Sequence, residues 1–337
     1  CESSAASDVY KRQAYVRPLS LMLISILIFS SCAKDEPIGP DLAGLYGELE
    51  LLSDFGHNMP NGVHFEDEER VGFSADFNLE VDYTLSFVGQ SSGATYSISG
   101  KSTNLTDISW GGDCNDVFFR PMEWVHCLLE FEDHPDNTQI DSVFVWEQPD
   151  LSHKGVLLTS FEQPSSFSLT SGDFTDHLEA VVNTLGAAEG ATYVTGVGTG
   201  PATWYGALRI PMNHGDLSNM VVSSSFLNLH TRSELEGSAT VIKVFEDSND
   251  DGIINAGEDE VFTTKLPIIV DGEWHRMNLH LSNLELDLSG NNVSVNGGLL
   301  DMEKVLRIDI TVSQLGTSDG TFGFDADYVI ITPDFPF

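Results

Sequence analysis

Hydrophobic and polar residues alternate along much of the chain after residue 70. The clearest case is the segment 77–87, where every second residue is hydrophobic and the residues between them are polar. Successive side chains of a β-strand point to opposite faces, so this period of two predicts a strand with one buried face. Shorter strand-like runs follow at 94–100, 117–119, 127–131 and 140–146. Together these segments predict a small β-sandwich over residues 71–149.

Residues 150–337 contain a second series of alternating segments, separated by loops rich in Gly, Asn and Ser. Such a series predicts a further sandwich or jelly roll. The only helical candidate is the short segment 176–185, whereas an enzyme built from alternating strands and helices needs long amphipathic helices. We therefore expect an all-β protein, with an N-terminal sandwich followed by a C-terminal β-jelly-roll sandwich.

The N-terminal segment has the layout of an export signal. Residues 19–29 form an uninterrupted hydrophobic run of eleven residues, with basic residues before it and small residues after it. A membrane-spanning helix needs roughly 20 such residues. We therefore expect residues 1–31 to be a signal peptide that is removed on export. Within it, residues 1–13 resemble read-through or adapter-derived sequence.

Cys32 directly follows two serines. This arrangement resembles a lipobox, whose cysteine receives diacylglycerol and becomes the mature N-terminus, although Phe29 stands where Leu is usual. The next residues, 34–36, resemble the lysine-plus-acids export signal of Bacteroidetes lipoproteins. The resemblance implies an outward-facing lipoprotein of the outer membrane, held to the cell surface by a lipidated tether over residues 32–70. The alternative is a secreted protein with an ordinary signal.

The chain is strongly acidic, with 52 Asp and Glu against 15 Lys and Arg and a formal net charge of −37. Nucleic-acid binding requires clustered basic residues, so we expect no nucleic-acid partner. Anionic lipid would also repel this surface, which leaves the lipid anchor as the only membrane contact. Divalent cations are the natural counter-ions.

The sharpest local motif is the segment 247–258, DSNDDGIINAGE. Its spacing matches an EF-hand loop, in which several oxygen ligands converge on Ca²⁺ around a tight glycine turn that a Glu closes. The predicted ligands are Asp247, Asn249, Asp251, Ile253, Asn255 and Glu258. The flanking segments read as strands rather than helices, so two interpretations remain, a calcium-loaded hairpin loop and an acidic solvated loop. A structural role is expected in either case.

Polar side chains share one side of several predicted strands in the C-terminal half. If these strands pack side by side, the polar side chains line one concave face suited to recognising sugar hydroxyl groups. The candidate ligand-binding residues are Tyr205, Arg209, Asn228, His230, Arg276, Asn278, His280, Arg307 and Asp309. The alternative is an ordinary solvated face of a sandwich.

Four features of the C-terminal half occur in a characteristic order. They are Phe161-Glu162, the acidic loop at 247–258, the DGEW segment at 271–274 and the FDADYVI segment at 324–330. In this order they resemble carbohydrate-binding-module-like jelly rolls of the galactose-binding superfamily, over about half of the chain. The resemblance implies a second calcium ion, shared by Glu162 and Asp327. The WGGD segment at 110–113 and the preceding strand resemble PKD-type immunoglobulin-like domains of Bacteroidetes surface proteins, over about a quarter of the chain.

Two cysteines, Cys114 and Cys127, lie beyond the export segment. In an exported chain they predict a disulfide, and the alternative is two unpaired buried thiols. No HExxH or CxxC motif occurs. We therefore predict a non-catalytic surface lipoprotein whose calcium-stabilised C-terminal jelly roll binds a polysaccharide or another extracellular ligand. A structural or adhesive surface protein is the alternative, and a glycan-active enzyme is the third hypothesis.

Overall fold

Strands form nearly all of the regular structure. The computed structural model describes residues 47–170, 175–200, 206–316 and 320–336, and Leu49–Phe337 forms one compact unit. The N-terminal strands are β1 (Gly56–His57), β2 (Val63–His64), β3 (Val71–Ser74), β4 (Asp76–Gly89), β5 (Thr95–Asn104), β6 (Ser109–Trp110), β7 (Glu123–Phe131) and β8 (Gln139–Glu147).

The C-terminal strands continue the series. They are β9 (Val156–Thr159), β10 (Ser168–Thr170), β11 (Thr175–Val182), β12 (Thr192–Thr199), β13 (Ala207–Pro211), β14 (Ser225–Arg232), β15 (Ser238–Glu246), β16 (Glu260–Pro267), β17 (His275–His280), β18 (Glu285–Leu286), β19 (Val305–Gln314) and β20 (Thr321–Pro333). Short 3-10 helices lie at Phe65–Asp67, Pro135–Asn137, Leu151–Lys154, Leu281–Asn283 and Met302–Lys304. The predicted all-β class is confirmed.

The N-terminal strands form a five-stranded sheet, in the order β2-β8-β7-β4-β5, and a three-stranded sheet, β1-β3-β6. The predicted segment 77–87 lies within β4, and its hydrophobic side chains face the core. At the centre of this core, the fully buried Trp110 stacks on Phe87, with ring centroids 4.5 Å apart. Phe65 and Phe119 contact Trp110 edge-on at 4.9 and 4.8 Å.

Folded structure begins earlier than the predicted end of the tether at residue 70. Leu49, Val63 and Phe65 are buried in the N-terminal core. β2 also pairs with β8. The hydrophobic side chains at these positions therefore belong to the sandwich, and the rest of the predicted tether up to residue 46 lies outside the described residues, as does Cys32.

The C-terminal strands form two sheets that face each other. Sheet A has the order β10-β13-β19-β15-β16-β18, and sheet B has the order β11-β12-β20-β14-β17, with β9 also paired to β20. Between them lies a core that includes Leu227 and Leu229 of sheet B and Ile242, Ile308 and Ile310 of sheet A. This sandwich positions the candidate site.

The helix predicted at 176–185 is wrong, because β11 occupies Thr175–Val182 and pairs with β12. Leu178 packs against the C-terminal core from this edge strand. Sheet pairing has overridden a weak local helical pattern. No helix in the described ranges has the length and hydropathy of a membrane span.

Candidate ligand-binding face and calcium loops

One row of charged side chains crosses the outer face of sheet A. Arg209 of β13 lies opposite Asp309 of β19, which in turn lies opposite Lys243 of β15. Their neighbours along the strands, such as Ile210 and Ile308, face the core. Since strand residues alternate between faces, the charged row points away from the core.

Asp309 is the centre of this row. Its carboxylate lies 3.0 Å from Nε of Arg307 and 3.6 Å from Nε of Arg209, and the two arginine side chains are 26% and 32% exposed. Asp309 itself is only 3% exposed. Burial raises the pKa of Asp309, and the two guanidinium groups oppose that rise. The pairs are close but poorly aligned, since neither Nε makes a hydrogen bond to any described residue.

An aromatic ring orients the second arginine. Arg307 lies opposite Phe245 of β15, and its guanidinium carbon lies 3.7 Å from the centre of the Phe245 ring. Such a cation–π contact fixes the plane of the guanidinium group. Lys243, next on the same face, pairs with Asp287 at 3.0 Å. The face thus combines fixed donors, an acceptor and a half-buried aromatic ring. Tyr205, predicted to join it, lies outside the described residues.

The other five predicted ligand-binding residues lie in sheet B. Asn228 and His230 of β14 face Asn278 and Arg276 of β17, and Phe226 faces His280. The expected single face is therefore wrong, because the predicted residues are divided between opposite sheets of the sandwich. Alternation shows which side chains share one side of a strand, but it does not show which strands are neighbours.

Two members of this sheet B group, Arg276 and His230, pack against the N-terminal sandwich. The backbone N–H of Arg276 donates to Asp116 at 2.9 Å, and its guanidinium group donates to the carbonyl of Cys114 at 3.3 Å. His230 is fully buried beside Phe118, with ring centroids 5.2 Å apart. Burial lowers the pKa of His230 to about 3, so the ring is neutral. These side chains join the two halves of the compact unit.

The remaining members of the group differ in exposure. Asn228 is buried and donates to Thr332 at 2.9 Å. Nδ1 of His280 accepts the backbone N–H of Ser282 and so caps a short 3-10 helix. Asn278 is exposed.

The 247–258 loop is a compact turn between β15 and β16. Asp247 is fully buried and accepts the backbone N–H groups of Asp251 at 3.2 Å and Gly252 at 2.7 Å. Burial raises the pKa of Asp247, but these bonds and its ion pair with His214 at 2.8 Å bring it below its ordinary value. Gly252 has a φ of 80°, which the turn requires and glycine tolerates.

The predicted ligand side chains of this loop converge. The amide groups of Asn249 and Asn255 donate to Asp251 at 3.3 and 3.1 Å, and Asn249 also donates to Glu258 at 3.2 Å. Carboxylate and amide oxygens are the ligands that Ca²⁺ prefers, so the donor set fits this ion. In the part of the chain that the structure describes, no group of three or more His, Cys, Asp or Glu is arranged to hold a metal ion.

Glu162 and Asp327, predicted to share a second calcium ion, bind the backbone of another loop. Asp327 is fully buried and accepts the backbone N–H groups of Ala188 and Glu189, both at 2.9 Å. Glu162 accepts those of Ala191 and Thr192, both at 2.7 Å. The two predicted residues therefore hold the same segment, 188–192. Burial raises the pKa of Asp327 well above its ordinary value.

Glu189, which the sequence did not single out, completes this group. It is 7% exposed, and burial raises its pKa to about 7. Glu189 and Glu162 both line a cavity of about 600 Å³. No sequence pattern indicated a role for Glu189, because it lies in a loop outside any alternating segment.

The predicted disulfide is wrong, since Cys114 and Cys127 are both free and buried. Both side chains belong to the N-terminal core, and the Cys114 sulfur also lies 3.8 Å from the Arg276 guanidinium group. Burial raises the pKa of the Cys114 thiol to about 11 and that of the Cys127 thiol to about 12. The thirteen-residue spacing alone could not show that the two side chains have different surroundings.

An exposed aromatic strip lies on the outer face of the five-stranded sheet. Trp124 of β7 contacts Phe144 of β8 at 5.2 Å, and Phe144 contacts Trp146 at 4.6 Å. Trp124 is 54% exposed and Trp146 is 37% exposed. In β7 and β8, hydrophobic residues occupy outward-facing positions where polar residues were expected. This departure from alternation was visible in the sequence.

Comparisons with known proteins give structural neighbours only. No protein-family model matches the chain. No curated protein sequence matches it either. Solved structures that are similar to it include carbohydrate-binding modules with β-sandwich folds. A family 11 carbohydrate-binding module from Clostridium thermocellum, in complex with a β-1,3-1,4-mixed-linked tetrasaccharide, has 15% identity and a TM-score of 0.40, covering 54% of this chain and 96% of the module.

Two further neighbours extend over more of the chain. A structure from a study of promiscuous specificity in carbohydrate-binding modules of the β-sandwich superfamily has 12% identity and a TM-score of 0.36, and covers 85% of this chain and 98% of its own. SGBP-B from a complex xyloglucan utilization locus in Bacteroides uniformis has 10% identity and a TM-score of 0.35, and covers 85% of this chain and 73% of its own.

Proposed function

We propose that this chain is a non-catalytic surface lipoprotein that binds a polysaccharide on the outer face of sheet A. The observation that carries the proposal is Asp309 held between Arg209 and Arg307, with Arg307 stacked on Phe245. A sugar hydroxyl group both donates and accepts hydrogen bonds. The two guanidinium groups supply donors, and Asp309 and Phe245 hold them in place before the ligand arrives.

Calcium belongs to this proposal as a structural ion. The 247–258 loop brings together three carboxylates and two amide groups, and the segment held by Glu162 and Asp327 is the second proposed site. Bound Ca²⁺ would neutralise carboxylates that otherwise repel one another. Both loops lie between strands of the C-terminal sandwich, so the ions would stabilise the fold that presents the ligand-binding face.

Location at the cell surface rests on the N-terminal sequence. Diacylglycerol on Cys32 would anchor the protein to the outer membrane facing outward, and the tether would hold the sandwich away from the lipid. Metabolic labelling with a palmitate analogue tests this step. Cys32→Ala should abolish labelling, and labelling that persists in this variant would contradict it.

The binding proposal is tested by a glycan array and by isothermal titration of the soluble chain from residue 33. Arg307→Ala should weaken binding of the best array ligand by at least tenfold, since a hydrogen bond to a charged group contributes about 1.5–3 kcal/mol. Lys101→Ala is a matched control, because Lys101 is an exposed cation that pairs with Asp82 on the N-terminal sandwich. No binding to any plant, algal or host polysaccharide would refute the proposal.

An adhesive or structural role is the second candidate. The aromatic strip of Trp124, Phe144 and Trp146 favours this role, because large exposed hydrophobic patches mark interaction surfaces. Self-association measured by light scattering, and its loss in Trp124→Ser, would support adhesion. Release of sugar products from a bound polysaccharide would instead support a glycan-active enzyme.

A further inference from the structure

Two glutamates lie directly opposite each other where the 247–258 loop meets sheet A. Glu246 is the last residue of β15 and Glu260 is the first residue of β16, and the two are paired in register. Each lies two positions from a core residue, Val244 and Phe262 respectively. By strand alternation both side chains point into the sandwich. Both are fully buried.

The loop 295–301 covers both carboxylates. Oε1 of Glu260 accepts three backbone N–H groups of this loop, those of Val295, Asn296 and Gly298, at 2.7, 3.0 and 3.3 Å. Glu246 accepts the Asn296 amide at 3.0 Å and the backbone N–H of Asp301 at 2.8 Å. All of these donors are neutral.

Neither glutamate takes part in an ion pair with any residue that the structure describes. Lys304 interacts electrostatically with Glu246, but its direct partner is Asp250, at 2.9 Å. Oε2 of Glu260, although buried, has no hydrogen-bond partner among the same residues. An unpaired buried carboxylate is strongly unfavourable, and like charges directly opposite on paired strands add repulsion. A bound cation would offset both effects.

We propose that a divalent cation, best matched by Ca²⁺, binds between Glu246 and Glu260 and fastens the loop 295–301 to sheet A. The two carboxylates balance its charge, and Oε2 of Glu260 supplies an oxygen that the chain leaves unused. The Asn296 amide, backbone carbonyl groups of the loop and water supply the further oxygen ligands that Ca²⁺ takes. This site uses none of the proposed ligands of the 247–258 loop.

The proposed ion would order one wall of a cavity. The cavity has a volume of about 770 Å³ and is lined by Asn296, Leu299, Leu300 and Asp301 from the loop and by Met220 from the opposite side, among others. Release of the ion would free the loop and open that wall. The site therefore couples calcium to the shape of this end of the C-terminal sandwich.

Hydrogen–deuterium exchange of the soluble chain from residue 33, in EDTA and in CaCl₂, tests the proposal. At a calcium concentration 100 times the half-saturating value, amide exchange in 295–301 should slow on the order of 100-fold, since the loop must release the ion to open. This measurement needs no variant. Exchange in 295–301 that is unaffected by calcium would overturn the proposal.

Two variants separate this site from the adjacent loop. Glu260→Gln keeps the shape and one acceptor but removes a charge, so the calcium response should vanish in 295–301 and persist in 247–258. Asp251→Asn should show the reverse pattern. A calcium response in 295–301 that survives Glu260→Gln, or that disappears only in Asp251→Asn, would also overturn the proposal.

Discussion

Replacing Glu123 with Gln should destabilise the N-terminal sandwich strongly, although the two side chains have nearly the same shape. Glu123 begins β7 and is 3% exposed. Its Oε2 accepts the backbone and hydroxyl groups of Ser91 and the backbone N–H of Ser92, at 2.9–3.0 Å. Its Oε1 accepts the Ser92 hydroxyl at 2.9 Å and the backbone N–H of Arg120. One carboxylate thus satisfies five donors.

The magnitude follows from these bonds. In Glu123→Gln, the amide oxygen can keep the three donors on one side, and the Ser92 hydroxyl can turn to accept from the new NH₂ group. The backbone N–H of Arg120 cannot turn, and leaving a buried donor unsatisfied costs about 1–3 kcal/mol. The retained bonds also lose the charge that makes them about twice as strong as neutral ones. We expect a total loss of about 3 kcal/mol in the free energy of unfolding.

Thermal unfolding followed by circular dichroism measures this loss. A change of about 3 kcal/mol corresponds to a Tm lower by roughly 6–12 °C. Glu130→Gln is the matched control, because Glu130 is exposed on the same strand and should leave Tm unchanged. A Tm for Glu123→Gln within about 1–2 °C of the wild type would show that the five bonds do not contribute as their geometry implies.

Three further predictions concern buried and half-buried groups. Trp110→Ala should lower the free energy of unfolding by about 3–5 kcal/mol, measured by urea titration, because it removes the central stacked ring of the N-terminal core; a loss below about 1 kcal/mol would contradict this packing. Arg232→Lys should lower Tm by several degrees, since lysine cannot reproduce the bonds to Asp325 at 2.9 and 2.6 Å; an unchanged Tm would show that these bonds are dispensable. In the native chain from residue 33, Cys114 and Cys127 should react with a thiol reagent at pH 8 much more slowly than in urea, because burial raises the pKa of both thiols; rapid labelling of the native protein would refute their burial.

Alternation predicted individual strands well, because it reports burial directly. The segment 77–87 lies wholly within β4, Asp76–Gly89, and the all-β class followed from many such segments. The alternation of residues contains no information on the order of strands in the sheets. β14 and β15 are consecutive and similarly patterned, yet β14 lies in sheet B and β15 in sheet A. Arg209, Arg307 and Asp309 were therefore grouped correctly with one another, but wrongly with Arg276 and His230.

Alternation could have identified Glu246 and Glu260 as buried residues. Glu246 continues the phase of Ile242 and Val244, and Glu260 shares the phase of Phe262. A charged residue in the phase of a hydrophobic series is expected on the core face, where it needs a partner. What the sequence could not show is the loop 295–301, more than thirty residues later, that covers both side chains.

The position of β20 has a consequence for the order in which the C-terminal sandwich can form. This strand, Thr321–Pro333, lies between β12 and β14 in sheet B, and its Tyr328 and Ile330 also reach the N-terminal core. Strands made earlier must therefore wait for the last one before sheet B can close. Such distant pairing slows folding, so the edges of β12 and β14 can pair with other chains until β20 lies between them.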